Sequence, residues 1–193
     1  MEVKITPSLE SIDVIHDGET VTIQRDQDTF ATIDPGFSLT SRECPPFCVQ
    51  PMSLGNGIET LGELEFLDWL ERAGQDDDVL VIDSRTPPEF ARGTVPSAEN
   101  LPWNRLHFAS GADPLDVQSI LMDFGVLFDG DFYDFSNAKT LVLFCNGPWC
   151  GQSPTNIRTL INLGYPAHKL KWYRGGMQDW HALGFTVVPG KVQ

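Results

Sequence analysis

The run "TLVLF" at residues 140–144 is apolar at every position after its first, and so is "VLVI" at 79–82. A strand with one face in water alternates apolar and polar side chains, whereas one that is apolar throughout must be covered on both faces. Both runs are followed by turn-formers and then by helical patterning. "TLGELEFLDWLERAG" places Leu61, Leu64, Leu67 and Leu70 at helical spacing, with Thr60 and Glu63 set as a capping box. "PLDVQSILMDFGVLF" predicts a second helix, and "SPTNIRTLINLG" a third, with Ser153 as its cap, Pro154 in its first turn and Gly164 at its stop. "AENLPW" reads as a short extended piece, "DGDFYDFSNA" as an acidic aromatic loop, and "KLKWYRGGMQDWHALG" as a last strand and helix. Strand–helix alternation with continuous apolar strands predicts an α/β fold: a small parallel sheet flanked by helices on both faces.

The first 56 residues follow a different pattern. "SIDVIHDGETVTIQR" holds two β-branched runs around Asp17-Gly18, a good hairpin turn, and the stretch after it is rich in turn-formers. The chain is therefore divided into a β-rich extension, 1–56, and an α/β domain, 57–193. A length of 193 residues suits one full domain with such an appendage. The formal charge of −14 repels nucleic-acid phosphates, which excludes a nucleic-acid partner, and no apolar run is long enough for a membrane span. "MEVKITPSLE" lacks the pattern of a signal peptide, so a cytoplasmic location is expected, or a periplasmic one if a signal has been removed. His16, His107, His168 and His181 are scattered and no metal-ligand spacing occurs, so no metal and no cofactor are expected.

The chemistry concentrates where "TLVLF" ends, in "CNGPWCGQSPTN". Ligands of a parallel sheet sit beyond the carboxyl ends of its strands, and Cys145 occupies that point. Gly147, Pro148 and Gly151 let the backbone curl so that N–H groups turn inward, and the helix that follows directs its positive end to the same place. Both effects favour a thiolate. A free cysteine, with a pKa of about 8.5, is only a few per cent ionised at neutral pH, so such a loop makes a nucleophile of Cys145. Packing alone is the competing reading for a cysteine at a strand end.

Three segments in order resemble the rhodanese-like sulfurtransferase family: "VLVIDSRTPPEFARGTVPSAENLPW", "LVLFCNGPWCGQSPTNIRTLINLGY" and "LKWYRGGMQDWHALGF". The resemblance runs from about Gly57 to Val188. It implies that Cys145 accepts a sulfane sulfur as a persulfide and passes it to a thiol or to cyanide. It implies an active-site loop of Asn146, Gly147, Pro148, Trp149, Gly151, Gln152 and Ser153. It also implies that Asp83 and Arg85 brace the sheet end, with Glu89 as partner of Arg85. Two departures stand out. The loop is lengthened and carries no Lys or Arg, the nearest being Arg158, and Thr94 stands where the family has histidine. A loop without a cation favours polysulfide or a persulfidated protein over thiosulfate as sulfur donor, with a thiol as acceptor. The oxyanion-handling branch of the fold needs an arginine six positions after the cysteine to clamp its substrate; that position is Gly151, which argues against phosphatase chemistry.

Cys150 is either a resolving thiol for Cys145, a guard of that cysteine against over-oxidation, or simply part of the loop lining; the first makes a thiol–disulfide redox protein the rival enzyme, and a non-catalytic binding module is the third reading. Trp149 is either a lid over the site or an anchor for its loop. In "SRECPPFC", Cys44 and Cys48 are free to form a disulfide, share a metal or do neither; the segment is expected to pack at the mouth of the site and shape donor access.

Overall fold

In the computed structural model, which describes residues 2–55, 57–130 and 132–191, the apolar runs lie side by side at the centre of one sheet. In chain order the elements are β1 (Ser11–His16), β2 (Glu19–Gln24), β3 (Glu59–Leu61), α1 (Glu63–Ala73), β4 (Val79–Asp83), α2 (Pro87–Arg92) and β5 (Ala98–Asn100). Then come α3 (Pro114–Asp123), β6 (Leu127–Asp129), β7 (Phe132–Asp134), β8 (Thr140–Phe144), α4 (Gln152–Asn162), β9 (Leu170–Tyr173) and α5 (Gly176–Ala182). The five-stranded sheet has the order β3-β9-β8-β4-β5 and is parallel throughout.

Side-chain alternation along β8 divides the core in two. Val142 and Phe144 face α1, α5 and the β1–β2 hairpin, through Phe66, Leu67, Leu70, Met177, Trp180, Ile12, Val14 and Ile23. Leu141 and Leu143 face α3 and α4, through Val117, Leu121, Ile157 and Leu160. A strand apolar at every position thus has helices against both faces, as expected. The extension contributes to the first of these cores: Ile23 is fully buried, and Arg25 Nε donates to Leu183 O at 2.8 Å. The Asp17-Gly18 turn has φ values of +51° and +81°, both in the left-handed region that a two-residue hairpin requires.

Three local expectations are corrected. Thr60 does not cap α1. It pairs with Trp172 in the sheet, its hydroxyl donates to Met52 O, and Gly62 takes the cap position without a side-chain bond. Edge pairing with β9 has claimed the residue, and the capping box occurs instead at α2, between Thr86 and Glu89. The α3 pattern ends at Asp123, because Gly125 adopts φ +80°; beyond it Val126 stays in the second core and Leu127 turns outward in β6. The acidic aromatic stretch is not a loop but a short antiparallel hairpin, β6–β7, with Phe128 edge-on to Tyr133 at 4.6 Å.

Candidate active site

Cys145 is the first residue after β8, the middle strand, so its sulfur emerges at the carboxyl end of the sheet between β4 and β9. The first turn of α5 holds the loop from the neighbouring strand. Met177 N–H donates to Cys145 O at 3.0 Å and Gln178 N–H to Asn146 O at 2.9 Å. Gly176 makes this approach feasible: a β-carbon there would lie 2.3 Å from Cys145 O and 2.8 Å from Gly147 N. The loop closes on itself through Cys150 N–H to Gly147 O at 2.9 Å, and Trp149 Nε1 donates to Gln178 Oε1.

Ser153 is not the helix cap. Gly151 caps α4, and Ser153, one residue inside the helix, directs its hydroxyl to Cys145 Sγ at 3.1 Å. Trp172 Nε1 donates to Ser153 Oγ at 3.1 Å, which occupies an acceptor site on the hydroxyl and leaves its proton for the sulfur. Ser153 and Trp172 have essentially no solvent exposure, so this relay works in a low-dielectric surrounding where hydrogen bonds to charge are strong. Burial is the largest influence on Cys145 and pushes its thiol up. Hydrogen bonds from the Cys150 thiol, the Ser153 hydroxyl and the backbone N–H groups of Ser153 and Gly147 together outweigh it, and hold Cys145 below the ordinary cysteine value. Cys150 goes the other way. Burial first, and then its bond to Cys145, keep it a protonated thiol. The two thiols are thus shifted in opposite directions, and both cysteines are free.

Removing the Ser153 hydroxyl removes a donor to the thiolate. Ser153→Ala is expected to raise the pH midpoint of Cys145 alkylation and to slow alkylation at pH 7 by roughly tenfold, the scale of one hydrogen bond to a charged group. The pH profile of iodoacetamide labelling in the Cys150→Ala background reads it; an unmoved midpoint would show that the hydroxyl does not stabilise the thiolate.

Asp83 and Arg85 pair with each other where β4 ends. Arg85 Nε donates to Asp83 Oδ1 at 3.0 Å and Nη2 to Oδ2 at 2.6 Å, and Nη2 also reaches Gly93 O at 2.6 Å. Thr94 donates to Asp83 Oδ2 at 2.8 Å. Glu89 is not the partner of Arg85. Its Oε2 accepts from the Thr86 N–H and hydroxyl, and its Oε1 from Asn146 Nδ2 at 2.7 Å. Gln152 Nε2 adds a longer bond at 3.3 Å, and Gln152 Oε1, 3.4 Å from Cys150 Sγ, competes with Cys145 for the single Cys150 thiol proton. Burial raises the Glu89 carboxyl, but these donors prevail and lower it, so it is a carboxylate at neutral pH and ties α2 to the cysteine loop.

The extension also reaches the loop. Cys44 and Cys48 are joined in a disulfide, with a Cα–Cα distance of 4.8 Å, and the segment around them lies against Trp149. Phe47 meets the indole edge-on at 5.6 Å, the Arg42 guanidinium sits 3.9 Å over its ring, and Gln50 N–H donates to Pro148 O at 2.8 Å. Trp149 is thus anchored on one side by Gln178 and covered on the other by the extension. Sequence reading missed Trp172 and Arg42. Neither carries a local signal, since one reads as a sheet residue and the other as part of a linker.

The family model for the rhodanese-like domain matches residues 66–183, more than half of the chain. The chain belongs to the rhodanese-like domain family. Among solved structures it is similar to a protein from Bacillus halodurans, at 18% identity over 69% of this chain and 77% of that one, with a TM-score of 0.47. It is similar to a protein of unknown function from Rhodopseudomonas palustris, described as a possible tyrosine phosphatase, at 20% identity over 70% and 88%, TM-score 0.46. It is also similar to a human single-domain sulfurtransferase, at 22% identity over 65% and 96%, TM-score 0.38. No curated protein matches. The match to the rhodanese-like domain leaves out the extension, so Arg42, Phe47 and the disulfide are additions to it. Among the described residues, no helix is long and apolar enough to cross a membrane and no group of side chains could hold a metal ion.

Proposed function

We propose that this rhodanese-like domain is a sulfurtransferase that carries a sulfane sulfur on Cys145. The observation that carries the reading is the hydroxyl of Ser153 directed at a buried cysteine whose thiol is held below its ordinary value. In the first half-reaction the Cys145 thiolate attacks the terminal sulfur of a donor R–S–SH. The donor S–S bond breaks, R–S⁻ leaves with the bonding pair, and Cys145–S–SH remains. In the second, an acceptor thiolate attacks the terminal sulfur, and Cys145 leaves as thiolate. No oxidant or reductant is consumed, because the sulfane sulfur only changes partners. Polysulfide or a persulfidated protein fits the donor role better than thiosulfate, since the cysteine loop itself holds no cation.

Cys150 supports a second outcome. Attack of Cys150 on the inner sulfur of Cys145–S–SH, with the Cys150 proton passing to the departing sulfide, would give the Cys145–Cys150 disulfide and release H₂S; both cysteines are free and lie in one loop. Phosphatase chemistry lacks the clamping arginine, since Gly151 holds that position.

The test is the intact mass of the protein after brief exposure to polysulfide and, separately, to thiosulfate. One sulfur atom is expected to be gained from polysulfide, and the gain is expected to vanish in Cys145→Ser. Loss of two hydrogens that requires both Cys145 and Cys150 would assign the redox reading instead, and no mass change with either donor would leave the fold as a binding module.

A further inference from the structure

A cavity of about 280 Å³ lies beside the cysteine loop, walled on one side by the loop residues Asn146 and Trp149 and on the other by Arg42 and Phe47 of the extension. Arg92 of α2 and Asp34 also line it. Its volume is at the lower edge of the range typical of small-molecule sites, about 300–1,000 Å³. The two guanidiniums are short of anionic partners: among the described residues neither Arg42 nor Arg92 makes a salt bridge. Arg42 Nε is buried with no hydrogen-bond partner, although its guanidinium stacks on Trp149. Arg92 has only a 3.3 Å bond from its Nε to Pro88 O. A buried charged donor without an acceptor costs free energy, and the group that satisfies it best is a carboxylate or another oxyanion.

The other charges facing the cavity are already engaged or complementary. Arg85 is held by Asp83, and Glu89 by Thr86, Asn146 and Gln152. His181 also lines the cavity, and burial disfavours its charged form. Asp34 accepts from Gly36 N–H through Oδ1 and remains able to meet an ammonium group. The cavity therefore offers two cations for a carboxylate, an aromatic wall for a carbon skeleton and one carboxylate for an amine. A bare oxyanion such as thiosulfate would use only the first of these.

We propose that this cavity is a binding site for a small thiol or persulfide of the amino-acid or short-peptide class, whose carboxylate is held by Arg42 and Arg92. The inference rests on the sulfurtransferase reading for its purpose, because it supplies the thiol partner of Cys145. Cys145 does not line the cavity, but Asn146 and Trp149 of its loop do, so an occupant bears directly on the wall of that loop. The site depends on residues outside the stretch that matches the rhodanese-like domain, and it explains why a cysteine loop without a cation has arginines brought to it from elsewhere.

Calorimetric titration of the full-chain Cys145→Ser protein with reduced glutathione tests the site without any sulfur transfer. Saturable binding is expected, weakened about tenfold or more by Arg42→Gln and by Arg92→Gln, as the loss of a charge-assisted contact predicts. A second measurement uses the polysulfide-loaded native protein with 3-mercaptopropionate and 2-mercaptoethanol, which differ in the carboxylate. The ratio of their KM values should favour the carboxylated thiol about tenfold, and it should fall toward one in both arginine variants. No glutathione binding, binding indifferent to both arginines, or tighter binding of thiosulfate than of glutathione would overturn the proposal. Failure of polysulfide to load Cys145 would refute the sulfurtransferase reading alone, and the glutathione titration would still decide the site.

Discussion

Asp83→Ala is expected to cost the folded protein about 3–5 kcal/mol, because it leaves the Arg85 guanidinium buried without its counter-charge. Both side chains are all but inaccessible, at 0% and 3% exposure, so water cannot take over the lost contacts. Asp83 accepts from Arg85 Nε and Nη2, from the Arg85 N–H and from Thr94, and one substitution therefore leaves several donors unpaired at once. The double variant Asp83→Leu with Arg85→Met should recover much of the stability, since replacing both charges with apolar groups removes the desolvation cost along with the attraction. Urea unfolding followed by tryptophan fluorescence measures both. If the double variant is as unstable as the single one, the ion pair is not what holds the end of β4, and the hydrogen bonds to Thr94 and Gly93 are.

Gly176→Ala is the second large effect, and it joins stability to activity. Gly176 has φ +56°, where a side chain costs about 1–2 kcal/mol. The added β-carbon would also fall 2.3 Å from Cys145 O and 2.8 Å from Gly147 N, both backbone atoms that cannot rotate away. The loop has to move off α5, breaking the Met177 and Gln178 bonds to Cys145 O and Asn146 O. A total of about 3 kcal/mol or more is expected, with sulfur loading of Cys145 reduced at least tenfold even in the folded fraction. Gly111→Ala is the control: its φ of +92° carries strain, yet an added β-carbon meets nothing within 4 Å. It should cost about 1–2 kcal/mol and leave sulfur loading intact. Equal effects at the two positions would mean that strain, and not the collision with the cysteine loop, is decisive.

Much of the fold was legible because β4 and β8 are apolar without interruption, a pattern with one packing solution. The turn at Asp17-Gly18 was legible for a similar reason, since few residue pairs accept positive φ at both positions. Caps were less legible. Thr60 and Ser153 both have the chemistry of a helix cap, yet the first is claimed by strand pairing and the second by the sulfur of Cys145. Glu89 stands four residues from Arg85 in the sequence, yet it bonds Thr86 and, 57 residues on, Asn146 at the end of a strand two places from β5 in the sheet. Sequence spacing reports neighbours along a helix or strand, and such a partner is set by the order of the strands.

From the sequence alone came the covered parallel sheet, the place of Cys145 at the end of its middle apolar strand, and a loop that can turn its N–H groups inward. These follow from period, composition and turn chemistry, which act over a few residues. Only the tertiary structure decided which groups touch the sulfur, that Trp172 supports the Ser153 hydroxyl from β9, and that Arg42 crosses from the extension to Trp149. Those contacts join segments far apart in the chain, and they exist only because packing both faces of the sheet brings α4, β9 and the extension to one strand end.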